Sequence, residues 1–175
     1  MLRLGAMAEE RSAAGADATI HVARDALGFS AAHFGIIGSR RETLHGHNYR
    51  LALRASGPVG EDGTVLDFAA LKRALREEVA QLDHRMIVPT ACPDVRVEEQ
   101  DNAHVALTYG EDRFLFPRGD VCLLPVPNTT CECLAGWLLE RVRNRLGAVD
   151  VRLELGVEEV PGQGATVAEV PSPAR

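Results

Sequence analysis

The 175-residue chain has no run of apolar residues long enough to cross a bilayer, and none at its start that reads as a secretory leader. It has no excess of basic charge: 19 Lys and Arg stand against 25 Asp and Glu, a formal net charge of -6. A long nucleic-acid footprint needs a basic surface and is therefore not expected. No pair of its four cysteines has C-x-x-C spacing, and Cys131 and Cys133 stand too close for an easy mutual disulfide. These absences lead us to expect reduced thiols and a cytoplasmic setting. No repeat or low-complexity block divides the chain. We expect a tail over 1–17, one domain over 18–170 and a second tail over 171–175.

What is present reads as a mixture of strands and helices. "ATIHVARDALGFSAAH" reads as a strand broken near Asp25–Gly28, and "HNYRLALRAS" as its antiparallel neighbour, with Tyr49, Leu51 and Leu53 alternating against Arg50 and Arg54. "DFAALKRALREEVAQL" carries Leu71, Ala74, Leu75, Val79 and Leu82 at helical spacing behind Asp67, a fair N-cap. Residues 103–116 read as a hairpin around "GED", with His104 an ordinary hairpin residue. A short apolar strand and a second helix follow. Thr129 and Glu132 there have capping-box spacing, and Leu134, Trp137, Leu138 and Val142 form the buried stripe. "VDVRLELGVEEV" reads as the last strand. This order predicts an α+β fold with two helices on one face of an antiparallel sheet.

Three places carry chemistry. His45 and His47, two apart on a strand, face the same side, and His33 ends the preceding strand. If those strands pair, three imidazoles converge, as in a zinc site with one open position. By spacing alone, H-x-H is more often a pair of half-buried polar residues than a ligand pair. Asp83 and His84 follow the first helix; they read either as a helix terminus or as a histidine oriented by a carboxylate. Glu159 continues the inward face of Leu153, Leu155 and Val157, where it either ends the strand in solvent or grips a ligand.

The stretches "FSAAH", "LHGHNY", "GTVLDFAALK", "LDHRM", "NTTCECLAGWL" and "VEEVPGQGA", in that order, resemble the 6-pyruvoyl-tetrahydropterin synthase family, which includes the 6-carboxytetrahydropterin synthases. The resemblance implies a tunnelling fold: a four-stranded antiparallel sheet with two helices, closed into a barrel by trimers that stack as a homohexamer. It implies active sites at subunit interfaces and a zinc ion on His33, His45 and His47. It implies a pterin triphosphate substrate, 7,8-dihydroneopterin triphosphate, with Asp83 and His84 handling protons. Glu159 would grip the pterin, helped by Thr130. Two positions depart from the family's pattern. Val160 stands where a threonine usually follows the gripping glutamate, and Arg41 occupies the position of the usual catalytic cysteine. Arginine cannot serve as a base near neutral pH.

Glu42, in E-x-x-H-G-H, resembles a subgroup in which glutamate replaces that cysteine. That likeness implies a zinc-dependent lyase that releases 6-hydroxymethyl-7,8-dihydropterin, a folate precursor. Two alternatives remain at this point. One is a 6-carboxytetrahydropterin synthase of queuosine-type deazapurine synthesis, using Cys92 or Cys131. The other is a non-catalytic zinc- and pterin-binding homologue. The bland reading of Glu42 is a loop carboxylate paired with Arg40 or Arg41.

Overall fold

The computed structural model describes residues 15–23, 27–100 and 103–169. The strand expected at the start is two strands, β1 (Asp17–Ala23) and β2 (Phe29–His33). Both lie antiparallel along one edge of β5 (His45–Pro58), β2 on its first part and β1 on its second. The expected break falls partly on residues 24–26, outside those described. Between β2 and β5 a two-residue ladder, β3 (Ile36–Ile37) with β4 (Arg40–Arg41), closes a small loop.

Helix α1 (Phe68–Val79) starts where Asp67 accepts the Ala69 amide, at 2.8 Å. Strand β6 (Arg85–Pro89) follows. It pairs parallel with β2, so α1 is a crossover, the connection that parallel strands require. The hairpin expected over 103–116 is β8 (His104–Tyr109) with β9 (Asp112–Pro117), and β7 (Arg96–Gln100) adds a third strand. This small sheet is itself a crossover, because β10 (Val121–Leu124) returns parallel to β6.

Helix α2 (Cys131–Leu146) is capped by Thr130, whose hydroxyl accepts the Cys133 amide, and not by Thr129 as the capping-box spacing implied. Thr129 is buried and turned to other partners. The chain then forms β11 (Arg152–Val160) and one strand not foreseen, β12 (Gln163–Ala168). The main sheet runs β10-β6-β2-β5-β11-β12, with β1 also on β5. It has seven strands and two parallel pairings, a larger and more mixed sheet than the expected four antiparallel strands.

The alternating apolar residues of β2, β5 and β11 meet the apolar stripes of α1 and α2 in one core that includes Phe29, Tyr49, Leu53, Leu75, Leu138 and Leu155. A second core, with Phe34, Met86, Val88, Val105, Leu107 and Val121, packs the small sheet against β6 and β10. On α1, Glu78 is only 1% exposed. Arg141 and Arg145 of α2 donate to its carboxylate, and so does Gln81. Burial pushes the Glu78 carboxyl up, but the two guanidiniums outweigh this and hold it below the usual range. A lowered carboxyl contributes stability above its unfolded pKa of about 4.3 and loses it as pH falls through the lower folded value. We therefore expect Glu78→Gln to cost about 2 kcal/mol at pH 7. Melting curves taken at falling pH should show the difference from wild type closing in acid.

Candidate metal and pterin site

The pairing of β2 with β5 sets His33 directly opposite His45. On a paired edge such residues share a face, and His47 lies two residues further along it. The ring centroids are 4.6 Å apart for His33 and His45, 5.2 Å for His33 and His47, and 4.8 Å for His45 and His47. One side-chain nitrogen from each lies within 4.8 Å of the others.

The hydrogen bonds fix which nitrogens are open. His33 Nδ1 lies 3.1 Å from the Thr129 carbonyl, which only accepts, so Nδ1 carries the proton. Thr129 Oγ1, 3.2 Å from the same nitrogen, spends its own proton on the Phe34 carbonyl. This leaves His33 Nε2 as a bare lone pair, buried and without a hydrogen-bond partner. His45 Nδ1 likewise donates to the Thr43 carbonyl at 2.7 Å, freeing its Nε2. Burial, and after it His45 and His47, keep the His33 pKa low, so the ring is neutral. Three converging imidazoles, one with an orphaned buried lone pair, fit a divalent metal that favours nitrogen, zinc foremost. Backbone acceptors on the far nitrogens are the usual way such rings are oriented.

Next to the triad is a cavity of about 270 Å³, lined by His33, Glu42, Thr130, Cys131 and Glu159 among others. Glu42 accepts the Gly35 amide at 3.0 Å, and its own amide donates to the Gly35 carbonyl. A Cβ at Gly35 would push the Glu42 carboxylate from this place. The pairing of Glu42 with Arg41 does not occur. The Arg41 guanidinium pairs with Asp112 and donates to the Glu42 backbone carbonyl.

Glu159 sits at an irregularity in the β11–β12 ladder and has no partner on β12. Such a bulge re-aims a side chain. Its carboxylate lies 3.9 Å from His47 Nε2. Burial and Glu159 push the Cys131 thiol up to about 11.

Asp83 and His84 stand elsewhere. His84 Nδ1 is 3.0 Å from the Asp83 carboxylate, and Asp83 accepts the Ser30 amide at 2.9 Å. That amide is the main reason the Asp83 carboxyl lies low. His84 has a left-handed backbone (φ 57°), held by its amide on the Ser30 carbonyl, and its side chain is 81% exposed. It lines a different hollow from Glu42, with His47 of the triad, Ser30, Ala32, Asn48 and Arg85. Within one subunit, then, Glu42, Glu159 and Thr130 line the cavity that His33 reaches, and His84 lines the hollow that His47 reaches.

Sequence reasoning missed Asn128 and Thr129. The Asn128 side chain brackets Ile36, accepting its amide and donating to its carbonyl, and Thr129 orients His33. The "NTT" stretch was the available signal, and it was read toward Thr130.

This α+β fold carries a histidine triad that could hold a metal ion, beside a carboxylate-lined cavity. The family model described as 6-pyruvoyl tetrahydropterin synthase matches residues 22–170, and the chain belongs to that family. A Methanocaldococcus jannaschii protein named "Putative 6-carboxy-5,6,7,8-tetrahydropterin synthase" is 32% identical over 144 residues, 79% of this chain and 88% of the relative. A Pyrococcus abyssi protein of the same name is 30% identical over 141 residues, covering 79% and 84%. Among solved structures, 6-pyruvoyl tetrahydropterin synthase from Plasmodium vivax superimposes with a TM-score of 0.83 at 31% identity, over 87% of this chain and 98% of that one. A Plasmodium vivax variant described as a catalytic-residue mutant, glutamate to alanine, matches at 30% identity over the same shares and with the same TM-score.

Proposed function

We propose that the protein is a zinc-dependent lyase that cleaves the side chain of 7,8-dihydroneopterin triphosphate and releases 6-hydroxymethyl-7,8-dihydropterin. The observation that carries this reading is the convergence of Glu42 and Glu159 on the cavity beside the triad, with Arg41 turned away from it. The glutamate described as catalytic in the Plasmodium vivax enzyme supports a glutamate in that role here.

His33, His45 and His47 would hold the metal, which when bound supplies Lewis-acid polarisation of substrate hydroxyls. Glu159 accepts the two parallel N–H donors of the pterin edge and orients the ring. Thr130, which caps α2 in the same wall, adds a hydroxyl. Glu42 takes the proton of the 2′-hydroxyl. The C1′–C2′ bond then breaks, C2′ becomes an aldehyde carbon on the departing triphosphate fragment, and the bonding pair enters the pterin ring through C6. His84, held by Asp83, returns a proton to C1′. We take that pair to come from a second subunit, as in an oligomer whose sites lie between protomers; its place outside the cavity of Glu42 supports this, and a hexamer closing a barrel satisfies it.

The names of the archaeal relatives favour a second reading, a 6-carboxytetrahydropterin synthase with a cysteine base. Cys131 does line the cavity, but a thiol pushed up to about 11 is a poor base at neutral pH. Cys92 is packed in the second core.

Incubating zinc-loaded protein with 7,8-dihydroneopterin triphosphate should yield the 6-hydroxymethyl pterin, identified by mass. A 6-carboxy product would favour the second reading, and unchanged substrate a binding protein.

A further inference from the structure

Arg41 stands where the resemblance places a cysteine, and its side chain is held by several partners. Nε and Nη2 donate to Asp112 of β9 at 3.1 and 2.6 Å. Nη1 donates to the Glu42 carbonyl at 2.6 Å. The guanidinium lies over two aromatic rings, 5.5 Å from Phe34 and 5.0 Å from Phe114, and those rings stack at 5.8 Å. One turn away, Tyr109 of β8 donates to the Ser39 carbonyl at 2.7 Å. The small sheet β7–β9 thus reaches over the 35–42 loop at two points. It is itself anchored, because Val105 and Leu107 of β8 are fully buried in the second core.

Neighbouring residues of an extended chain project to opposite sides. Seating Arg41 against the small sheet therefore turns Glu42 the other way, toward Gly35 and the cavity, where its carboxylate is found. A base on an open loop needs such a restraint, because a misplacement of an ångström costs much of the rate. Lysine could not replace the arginine, since one planar group here pairs with a carboxylate, stacks on rings and binds a carbonyl.

We propose that Arg41, clasped by Asp112 and Phe114, is a positioning residue that holds Glu42 over the cavity, and that the β7–β9 sheet is the frame for this clasp. The proposal rests on Glu42 as the base. It gives the segment over 96–120 a role in the site.

The test is steady-state kinetics on the zinc-loaded enzyme with Arg41→Gln and, as the milder change at an exposed partner, Asp112→Asn. Each should lower kcat about tenfold with KM unchanged, because substrate contacts stay in place while the base loses its aim. Zinc content and melting temperature should stay near wild type. In a Glu42→Gln background neither change should lower the residual rate further, as expected for groups acting through one another. Wild-type kcat in both variants, an equal fall in the Glu42→Gln background, or a fall that only follows lost stability would each overturn the clasp. Full activity of Glu42→Gln alone would instead overturn the reading on which the clasp rests.

Discussion

Glu42→Gln should lose about three orders of magnitude in kcat while binding zinc as wild type does, since a positioned general base contributes on that scale. The substitution keeps the side chain's shape and leaves an oxygen for the Gly35 amide, so the loop should hold its course. It removes only the capacity to take a proton. The metal is carried by other residues: His33 is oriented by Thr129 and His45 by the Thr43 carbonyl, and neither support involves Glu42. Zinc stoichiometry and kcat should therefore separate cleanly, measured by metal analysis and by product formation. A wild-type rate would remove Glu42 from the chemistry, and a joint loss of zinc and rate would make it a structural support of the triad.

The second large effect is expected when two inactive variants are mixed. Glu42 lines the cavity that His33 reaches, whereas His84 lines the hollow that His47 reaches and is largely exposed in the isolated subunit. If His84 serves a neighbouring subunit's cavity, Glu42→Gln and His84→Ala each give assemblies with no complete site. After unfolding and refolding together in equal amounts, random assembly should restore about a quarter of the sites, each with an intact Glu42 and an intact His84 from different chains. The single variants should be nearly inactive, so the gain is large and read directly from the rate. A mixture no more active than its parents would place both groups in one subunit.

Much of this was legible in the sequence where the signal is periodic and local. Alternation in β5 placed His45 and His47 on the face of Tyr49 and Leu51; the last two are buried, and the face opens toward His45 at the strand's start. The helical stripes of α1 and α2 packed as read. Glu159 followed from the period of Leu153, Leu155 and Val157, even though a ladder irregularity lies beside it. What was not legible depends on distant partners. The β6 pairings run parallel, and no local pattern tells parallel from antiparallel neighbours. β12 starts in "QGATVA", where glycine hides the strand; Gly164 is needed because a Cβ would strike the Val157 carbonyl. Arg41 meets an acid 71 residues away, so its neighbour Glu42 looked like its natural partner. Thr129 and Thr130 are equally good caps by type, and only the three-dimensional need of His33 for an acceptor assigns them different tasks.

The central claim is that this site breaks C1′–C2′ and returns a proton to C1′. The most direct measurement is the wild-type reaction run in deuterium oxide, with the pterin product examined by mass spectrometry. The account predicts 6-hydroxymethyl-7,8-dihydropterin carrying one non-exchangeable deuterium on its hydroxymethyl carbon. A 6-carboxy product, or a pterin that keeps its three-carbon side chain, would contradict it.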